Sequence, residues 1–237
     1  MSDFIVDPTA RRVYDAPGLG SDLPAAPLSL LAQWYAEAEA DERVADPAAM
    51  VLSTVDSSGH ANSRTVLLKG LDARGAELYT NLGSTKALEL AGSPYAALVL
   101  LWHPMYRQVR LRGPVEPVSR ADSAAYFASR PRGSQIASRV SHQSQPIGSR
   151  TELVAAVEAE EARWPDTGSG LDVPLPDYWG GFRVRPVEVE LWVGQPSRLH
   201  DRVRYTAAGS GQSGSPAPPV PPALDDEQAW TRTRLQP

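Results

Sequence analysis

Apolar positions along the chain follow two different periods. Between Leu28 and about Arg43 they recur at helical spacing, which predicts an amphipathic helix. In most other stretches apolar and polar residues alternate over short segments separated by Asp, Gly and Pro, which predicts about seven or eight antiparallel strands. The predicted strands cover approximately residues 49–55, 63–70, 76–81, 95–103, 107–118, 180–194, 197–206 and 230–235. The apolar run at 95–103 predicts a central strand buried on both faces.

Capping residues predict three further helices. Ser84 can cap a short helix, and Ser119 and Ser149 each precede an acidic residue by three positions, the spacing of a capping box. The segment 129–148 is polar and rich in hydrogen-bonding groups, and the Pro- and Gly-rich segment 165–177 predicts a loop.

Regular alternation of strands and helices is absent, so the expected fold is mainly β with peripheral helices, as a closed antiparallel barrel. We expect residues 1–27 to form a flexible N-terminal segment and residues 28–237 to form the barrel domain. Within that domain, residues 207–228 predict a low-complexity hairpin insertion, whose deletion should leave activity intact. The insertion contains a G-x-G-x-x-G pattern, but Pro-rich sequence follows it, so a dinucleotide site is not expected.

Composition and charge exclude several function classes. The chain has 237 residues, no cysteine, and 28 acidic against 23 basic residues. This excludes thiolate chemistry and argues against a nucleic-acid protein held by bulk positive charge. The four histidines lack metal-ligand spacing, so no metal site is expected. The start of the chain has no apolar signal core, and no segment could span a membrane, so we expect a cytoplasmic protein.

Cationic side chains at strand ends and loops are the remaining candidates for chemistry. Arg64 and Lys69 are separated by an odd number of residues on one predicted strand, so they should face opposite sides and could serve two anions. Arg130, Arg132 and Ser134 have the chemistry of an oxyanion cradle. A solvated strand end and a surface charge cluster are the alternatives.

Two later segments carry further candidates. Gln143 and Ser144 could bond the edge of a heterocycle, although polar loop residues often bond only water. Arg198, His200 and Arg202 occupy alternate positions of a predicted strand and would therefore share one face. Like charges on one strand face are unfavourable unless an anion lies between them, which favours a ligand role.

Several segments occur in one order along the chain from about Arg11 to Pro237, interrupted mainly by residues 207–228. They read RTVLLK, YTNLGSTK, RQVRLRG, YFASRPRGSQI, SHQSQ, PLPDYWGGFRV, ELWVGQPSRLHDR and RLQP. Together they resemble the pyridoxine (pyridoxamine) 5'-phosphate oxidase family of FMN enzymes in vitamin B6 metabolism. The resemblance implies an FMN-binding split β-barrel that forms a homodimer, with two FMN sites at the subunit interface.

The resemblance also implies which residues contact FMN. They are Arg64, Thr65, Val66, Leu67, Leu68, Lys69, Tyr79, Thr80, Thr85, Lys86, Gln108, Gln143, Ser144, Trp192 and Arg202. Arg64 and Lys86 would neutralise the FMN phosphate, while Arg202 and the glutamine amides would address the polar edge of the ring system. The chain has only two lysines, Lys69 and Lys86, and both fall at implied phosphate positions.

The implied substrates are pyridoxamine 5'-phosphate and pyridoxine 5'-phosphate, oxidised to pyridoxal 5'-phosphate by hydride transfer to FMN, with O2 reduced to hydrogen peroxide. Phosphate contacts fall on Lys69, Tyr126, Arg130 and Ser134, and contacts near the pyridine ring on Arg198, Leu199 and His200. Arg198 and His200 are the implied catalytic residues, although His200 need not be an obligatory base. Arg11, Arg12, Val13 and Tyr14 match a segment that covers the substrate.

Three positions depart from the family pattern. Thr85 replaces a second basic residue beside Lys86, which predicts weaker FMN binding. Val193 stands where glutamine is usual, and Ser138-Arg139 replaces a small residue followed by an aromatic one. None of these is expected to touch the reactive centre.

Two other functions remain as alternatives. One is a flavin oxidase of the same fold acting on another ring, as in phenazine biosynthesis, which would not need the phosphate clamp. The other is a non-catalytic flavin- or haem-binding split barrel, which would lose Arg198 and His200. No nucleic acid or membrane partner is expected in either case.

Overall fold

Ten strands and five helices form in the part of the chain described by a computed structural model, residues 13–209 and 220–237. The strands are β1 (Ala49–Val55), β2 (Ala61–Leu67), β3 (Gly70–Asp72), β4 (Gly75–Asn81), β5 (Tyr95–Trp102), β6 (Arg107–Pro117), β7 (Trp179–Val184), β8 (Glu188–Val193), β9 (Asp201–Ala207) and β10 (Trp230–Leu235). The helices are α1 (Leu28–Ala40), α2 (Thr85–Gly92), α3 (Arg120–Ser129), α4 (Arg132–Val140) and α5 (Arg150–Arg163). The mainly β fold with peripheral helices is confirmed. None of the helices in the described ranges is long and apolar enough to cross a membrane.

All strand pairs are antiparallel, in the order β10-β9-β8-β6-β5-β1-β2, with β7 bridging β6 and β4, and β3 pairing with β4. The long strand β6 joins both parts, because its first half pairs with β8 and its last residues pair with β7. Gly113 lies between these halves, where a Cβ would come within 2.0 Å of the Arg185 carbonyl oxygen. Among the described strands, pairing ends at β2, β3 and β10, so hydrogen bonds do not close the predicted barrel into a ring.

The core lies on the inner face of the curled sheet. Leu52, Leu98, Val109 and Leu191 on four neighbouring strands are fully buried, as the alternation predicts. The prediction that β5 is buried on both faces is wrong. Its burial alternates, and Leu101 on the outer face is 54% exposed in the single chain.

The capping predictions at Ser119 and Ser149 are confirmed, since each hydroxyl accepts a hydrogen bond from the backbone N–H three residues later. Two other helix predictions need correction. Helix α1 ends at Ala40, before Arg43, because Asp41 turns extended and its carboxylate accepts from the Arg43 N–H. Helix α4 forms in the polar segment 129–148, where no helix was predicted, and it buries Ile136 completely.

The segment 207–228 is only partly a surface insertion. Residues 210–219, with Gly211 and Gly214 of the glycine pattern, lie outside the described residues. Leu224, however, is fully buried, and its backbone carbonyl accepts a hydrogen bond from the N–H of Leu28 at the start of α1. Deleting 207–228 would remove this core contact, so the expectation that the whole segment is dispensable does not hold for its C-terminal part.

Candidate active site

A cavity of about 270 Å³ opens between β2, β4, α2, α3 and the loop after α4. Many of the side chains that the resemblance assigns to FMN or substrate line it, namely Thr65, Val66, Leu67, Lys69, Tyr79, Thr80, Lys86, Tyr126, Arg130 and Gln143, together with Ser138 and Trp179. We call these residues the cavity cluster. Leu68 lines a separate cavity beside α1, which Lys69 also borders. Lys69 follows the end of β2, so the prediction that it shares a strand with Arg64 is wrong.

Lys86 is a half-buried ammonium without a described carboxylate partner. Its Nζ lies 3.2 Å from Thr80 Oγ1 and 3.1 Å from Gln143 Oε1, both neutral oxygens. Burial, and then the nearby Arg64, lowers the pKa of Lys86. A cation held in this way is suited to binding an anion, because no internal charge must be displaced.

Arg64 is paired to a carboxylate that the sequence analysis missed. Glu89 on α2 is 9% exposed, and its Oε2 accepts from Arg64 Nη2 at 2.8 Å and from Thr54 Oγ1 at 2.5 Å. Burial alone would raise the pKa of Glu89, but hydrogen bonds from Thr54, Asn62 and Arg64 lower it overall. No local pattern in the sequence signals this pair, because Glu89 and Arg64 are 25 positions apart and on different elements.

The first turn of α2 is stabilised by a hydrogen bond to the loop after α4, and the N-cap side chain makes no hydrogen bond to it. Ser84 occupies the N-cap position as predicted, but its buried hydroxyl has no hydrogen-bond partner among the described residues. The Thr85 N–H donates instead to Ser144 Oγ at 3.2 Å. Ser144 has φ +72°, a conformation uncommon for residues other than glycine. Gln143 and Ser144 therefore lie beside Lys86 and Thr85, as the resemblance implies.

The other end of the cavity is aromatic. The ring of Tyr79 stacks on Tyr126 at 4.2 Å and on Trp179 at 5.5 Å between ring centroids. The Tyr79 hydroxyl donates to Glu77 at 3.1 Å, and burial together with that carboxylate raises the pKa of Tyr79, so the phenol stays protonated. Trp179 was not among the predicted site residues, although it lies in the quoted segment PLPDYWGGFRV.

Arg130 lies over this aromatic wall. Its guanidinium carbon is 5.0 Å from the Trp179 ring centroid, and Nη1 donates to Ser138 Oγ at 2.6 Å. No described carboxylate pairs with Arg130. Ser134, the expected phosphate contact, is not among the cavity-lining residues, and its carbonyl accepts from Ser138 Oγ at 2.9 Å. Ser138 therefore lines the cavity beside Arg130, and the expectation that it does not touch the reactive centre stays a prediction.

A second group of predicted residues lies on the outer face of the sheet. Strand register places Gln108 of β6 opposite Trp192 of β8, and Trp192 opposite Arg202 of β9. Arg202 Nη2 and Nε donate to Glu190 Oε1 at 2.7 and 3.0 Å, and Arg204 Nη2 donates to Glu190 Oε2 at 3.1 Å. We call Gln108, Glu190, Trp192, His200 and Arg202 the sheet-face cluster.

Glu190 was missed by the sequence analysis, although it is only 2% exposed. Burial alone would raise the pKa of Glu190, but hydrogen bonds from Arg202 and Arg204 lower it overall. This carboxylate therefore stays ionised and neutralises part of the arginine charge on this face.

Arg198 and His200 are not on a strand, so the prediction of three cationic groups on one strand face is wrong. Arg198 lies in a short 3-10 turn with φ +62°, His200 precedes β9, and Leu199 between them is 72% exposed. The His200 ring lies 4.7 Å from the Trp192 ring, and its Nδ1 accepts from the Gln195 N–H at 3.1 Å. Burial, with help from Arg198 and Arg202, lowers the pKa of His200. A neutral His200 therefore carries its proton on Nε2.

The N-terminal segment reaches the sheet-face cluster. The ring of Tyr14 lies 5.7 Å from His200 and 6.0 Å from Trp192, and a Cβ on Gly194 would come within 2.8 Å of it. Val13 is 72% exposed, and Arg11 and Arg12 lie outside the described residues. The covering role of residues 11–14 stays a prediction.

The two groups lie apart within one chain. None of the sheet-face residues lines the cavity. In the strand order, β2 and β8 are separated by β1, β5 and β6, and β4 with Tyr79 and Thr80 is separated from β8 by β7 and β6. One chain therefore presents the two clusters on different parts of the sheet.

Comparisons with known proteins point to one family over most of the chain. Residues 36–163 match the family model described as pyridoxamine 5'-phosphate oxidase, and residues 179–237 match that of the pyridoxine 5'-phosphate oxidase C-terminal dimerisation region. The pyridoxine/pyridoxamine 5'-phosphate oxidase of Kineococcus radiotolerans is 44% identical over 233 residues, covering 98% of this chain and 99% of that protein.

Solved structures agree with this match. PhzG from Burkholderia lata, solved in complex with tetrahydrophenazine-1-carboxylic acid, superposes with a TM-score of 0.76 at 29% identity, covering 91% of this chain and 95% of the other. A pyridoxamine 5'-phosphate oxidase-related, FMN-binding protein from Nostoc punctiforme has a TM-score of 0.66 at 15% identity, covering 89% and 97%. The split-barrel fold implied by the resemblance is confirmed.

Proposed function

The chain belongs to the pyridoxine/pyridoxamine 5'-phosphate oxidase family, and we propose that it oxidises pyridoxamine 5'-phosphate and pyridoxine 5'-phosphate to pyridoxal 5'-phosphate. It is an FMN-dependent oxidoreductase. For the amine, the balanced reaction consumes one O2 and one water and yields the aldehyde, ammonia and hydrogen peroxide. FMN, when bound, supplies the redox chemistry by accepting a hydride from C4' and passing both electrons to O2.

The donor set of the cavity fits the phosphate of FMN. Lys86 offers a half-buried ammonium whose described partners are neutral oxygens, and the start of α2 lies beside it. Arg64 supplies a second cation near Lys86, although its pairing with Glu89 reduces the net positive charge. Thr85 adds no charge, so Lys86 is the principal phosphate group in this proposal.

The aromatic end of the same cavity would bind a second anion, the phosphate of the substrate. Arg130 and Lys69 form no ion pair with a described carboxylate, and Tyr126 adds a hydroxyl beside Arg130. Within the described ranges, the cations that line this aromatic-walled cavity form no ion pair with a carboxylate, and this is the single observation that carries the proposal. Fixing the substrate phosphate there would orient C4' for hydride transfer, which can contribute several kcal/mol to catalysis, at most about 7–11.

The sheet-face cluster would act on the ring of the substrate. Neutral His200 offers an Nε2–H donor to a ring substituent, and the exposed Arg198 lies two residues away. Arg202 would donate its remaining N–H groups to the polar edge of the cofactor, while Glu190 holds its orientation.

Since one chain keeps these clusters apart, we infer that each complete site combines the cavity cluster of one copy with the sheet-face cluster of a second. The apolar outer face of β5 and the dimerisation-region match at residues 179–237 support a homodimer.

The test is an absorption spectrum of the purified protein, followed by a peroxide assay with the two B6 phosphates, pyridoxamine and tetrahydrophenazine-1-carboxylic acid. We expect a yellow protein that bleaches anaerobically with pyridoxamine 5'-phosphate and turns over pyridoxamine about a hundredfold less efficiently, because the phosphate contacts are lost. A colourless protein would contradict the proposal. So would oxidation of tetrahydrophenazine-1-carboxylic acid without oxidation of either B6 phosphate.

A further inference from the structure

The guanidinium of Arg130 is fixed in two independent ways. Arg130 follows the last residue of α3 and is extended, and its guanidinium lies over the faces of Trp179 and Phe127, at 5.0 and 5.8 Å from the ring centroids. Stacking on an aromatic ring restricts the plane of the guanidinium but leaves it free to rotate within that plane. A second contact is needed to choose which N–H groups face the cavity.

Ser138 on α4 supplies that contact. Its hydroxyl has one proton, which it donates to the Ser134 carbonyl one helical turn earlier at 2.9 Å. The oxygen must therefore act as acceptor towards Arg130, whose Nη1 donates to it at 2.6 Å. Ser138 is 8% exposed, so water competes little for this hydrogen bond.

The remaining donors of Arg130 are left for a ligand. Arginine has five N–H groups, and the described residues include one side-chain acceptor, Ser138, for one of them. Ser138 also lines the cavity beside Lys69 and Tyr126, so the guanidinium is held at the cavity wall rather than drawn away from it. A planar, pre-oriented fork matches two oxygens of a phosphate ester and loses little freedom on binding.

We propose that Ser138 is a positioning residue that orients Arg130 for the phosphate of the B6 substrate, and so contributes to selecting phosphorylated over unphosphorylated vitamers. The inference rests on the proposed function. It gives a role to a residue of the Ser138-Arg139 pair, which departs from the family pattern.

A double-mutant cycle on the holoenzyme tests this role. We expect Ser138→Ala to raise KM for pyridoxamine 5'-phosphate about tenfold with kcat changed less than about twofold, since the hydrogen bond is to a charged group. The kcat/KM for pyridoxamine and the Kd of FMN should stay unchanged. In an Arg130→Ala background the same substitution should have no further effect, because Ser138 acts only through Arg130.

Ser123→Ala is the matched control, because Ser123 is a buried serine of neighbouring α3 that does not line the cavity. It should leave all constants unchanged. An equal loss with pyridoxamine, or the same loss in the Arg130→Ala background, would overturn the positioning role while leaving the oxidase function standing. A wild-type enzyme with no preference for the phosphorylated substrate would overturn the proposed function, and this inference with it.

Discussion

The cavity cluster and the sheet-face cluster differ in whether their cationic side chains are paired with carboxylates. In the cavity, Lys69, Lys86 and Arg130 have no described carboxylate partner, whereas on the sheet face Arg202 and Arg204 share the buried carboxylate of Glu190. An uncompensated, partly buried cation costs folding energy unless a ligand neutralises it. The difference indicates that cavity cations serve bound anions, while most of the charge on the sheet face is already neutralised within the chain.

The strongest test of this comparison is a heterodimer in which one chain carries a substitution in the cavity cluster and the other chain carries one beside the sheet-face cluster. Arg130→Ala removes a cavity cation, and Arg198→Ala removes a cation beside the sheet-face cluster, so each homodimer should have a strongly reduced but measurable kcat/KM. In a heterodimer isolated with two affinity tags, one site combines both wild-type clusters. If a site is shared between copies, that heterodimer should recover about half of the wild-type activity, because one of two symmetric sites is intact.

The matched control pairs Arg130→Ala with Lys69→Met, two substitutions in the same cluster. No arrangement of that heterodimer contains an intact cavity, so its peroxide production should stay strongly reduced. Absence of recovery in the first heterodimer, with FMN still bound, would show that one chain supplies the whole site.

Lys86→Met tests whether a cavity cation binds the phosphate of FMN. The Kd of FMN should rise by roughly ten- to a hundredfold, the equivalent of about 1.5–3 kcal/mol for a hydrogen bond to a charged group. Riboflavin, which lacks the phosphate, should bind the variant and the wild type equally. Fluorescence quenching of either flavin on the cofactor-free protein measures both constants.

The same variant separates function from stability. Because burial lowers the pKa of Lys86, folding of the cofactor-free protein weakens proton binding by this ammonium, and replacing it should not reduce the free energy of unfolding. A clear loss of stability in urea denaturation of the cofactor-free variant would mean that Lys86 supports the fold instead.

The sequence predicts the fold better than it predicts the charge pairing of the site. Strands and caps depend on local patterns, so β10 is predicted at its observed bounds and Ser119 makes the predicted cap. The resemblance assigns Lys86 to the FMN phosphate and Arg130 to the substrate phosphate, and the structure lines one cavity with both. The resemblance does not reveal Glu89 or Glu190, because buried carboxylates pair with residues 25 and 12 positions away through sheet register and helix packing.

The turn around Arg198 was also not predicted from the sequence. The segment SRLHDR alternates like a strand, yet Ser197 and Arg198 both adopt positive φ, which turns the chain before β9 begins. Non-glycine residues seldom adopt this conformation, so a pattern of polarity does not predict it. Such strain is compatible with a functional site, where surrounding contacts hold the backbone.

Glu190→Gln tests the opposite side of the comparison, with stability rather than cofactor binding as the main readout. Removing the carboxylate charge leaves Arg202 and Arg204 without their shared counterion, and we expect a loss of about 2 kcal/mol in the free energy of unfolding, less than for a fully buried pair because both arginines are partly exposed. Glu188→Gln is the matched control on the same strand face. Its carboxylate is more exposed and lies 3.1 Å from Arg112 and 3.7 Å from Arg204, so it should cost less.

The stability difference between wild type and Glu190→Gln should depend on pH in a defined direction. The pKa of Glu190 is lowered in the folded protein, so its contribution to stability is complete above the ordinary glutamate pKa and disappears as the pH falls through the folded value. The difference in unfolding free energy between wild type and Glu190→Gln should therefore be constant near neutral pH and shrink in acid. A difference that persists unchanged at acid pH would mean that packing, rather than the charge of Glu190, holds Arg202 and Arg204, and the contrast between the two clusters would then not be electrostatic.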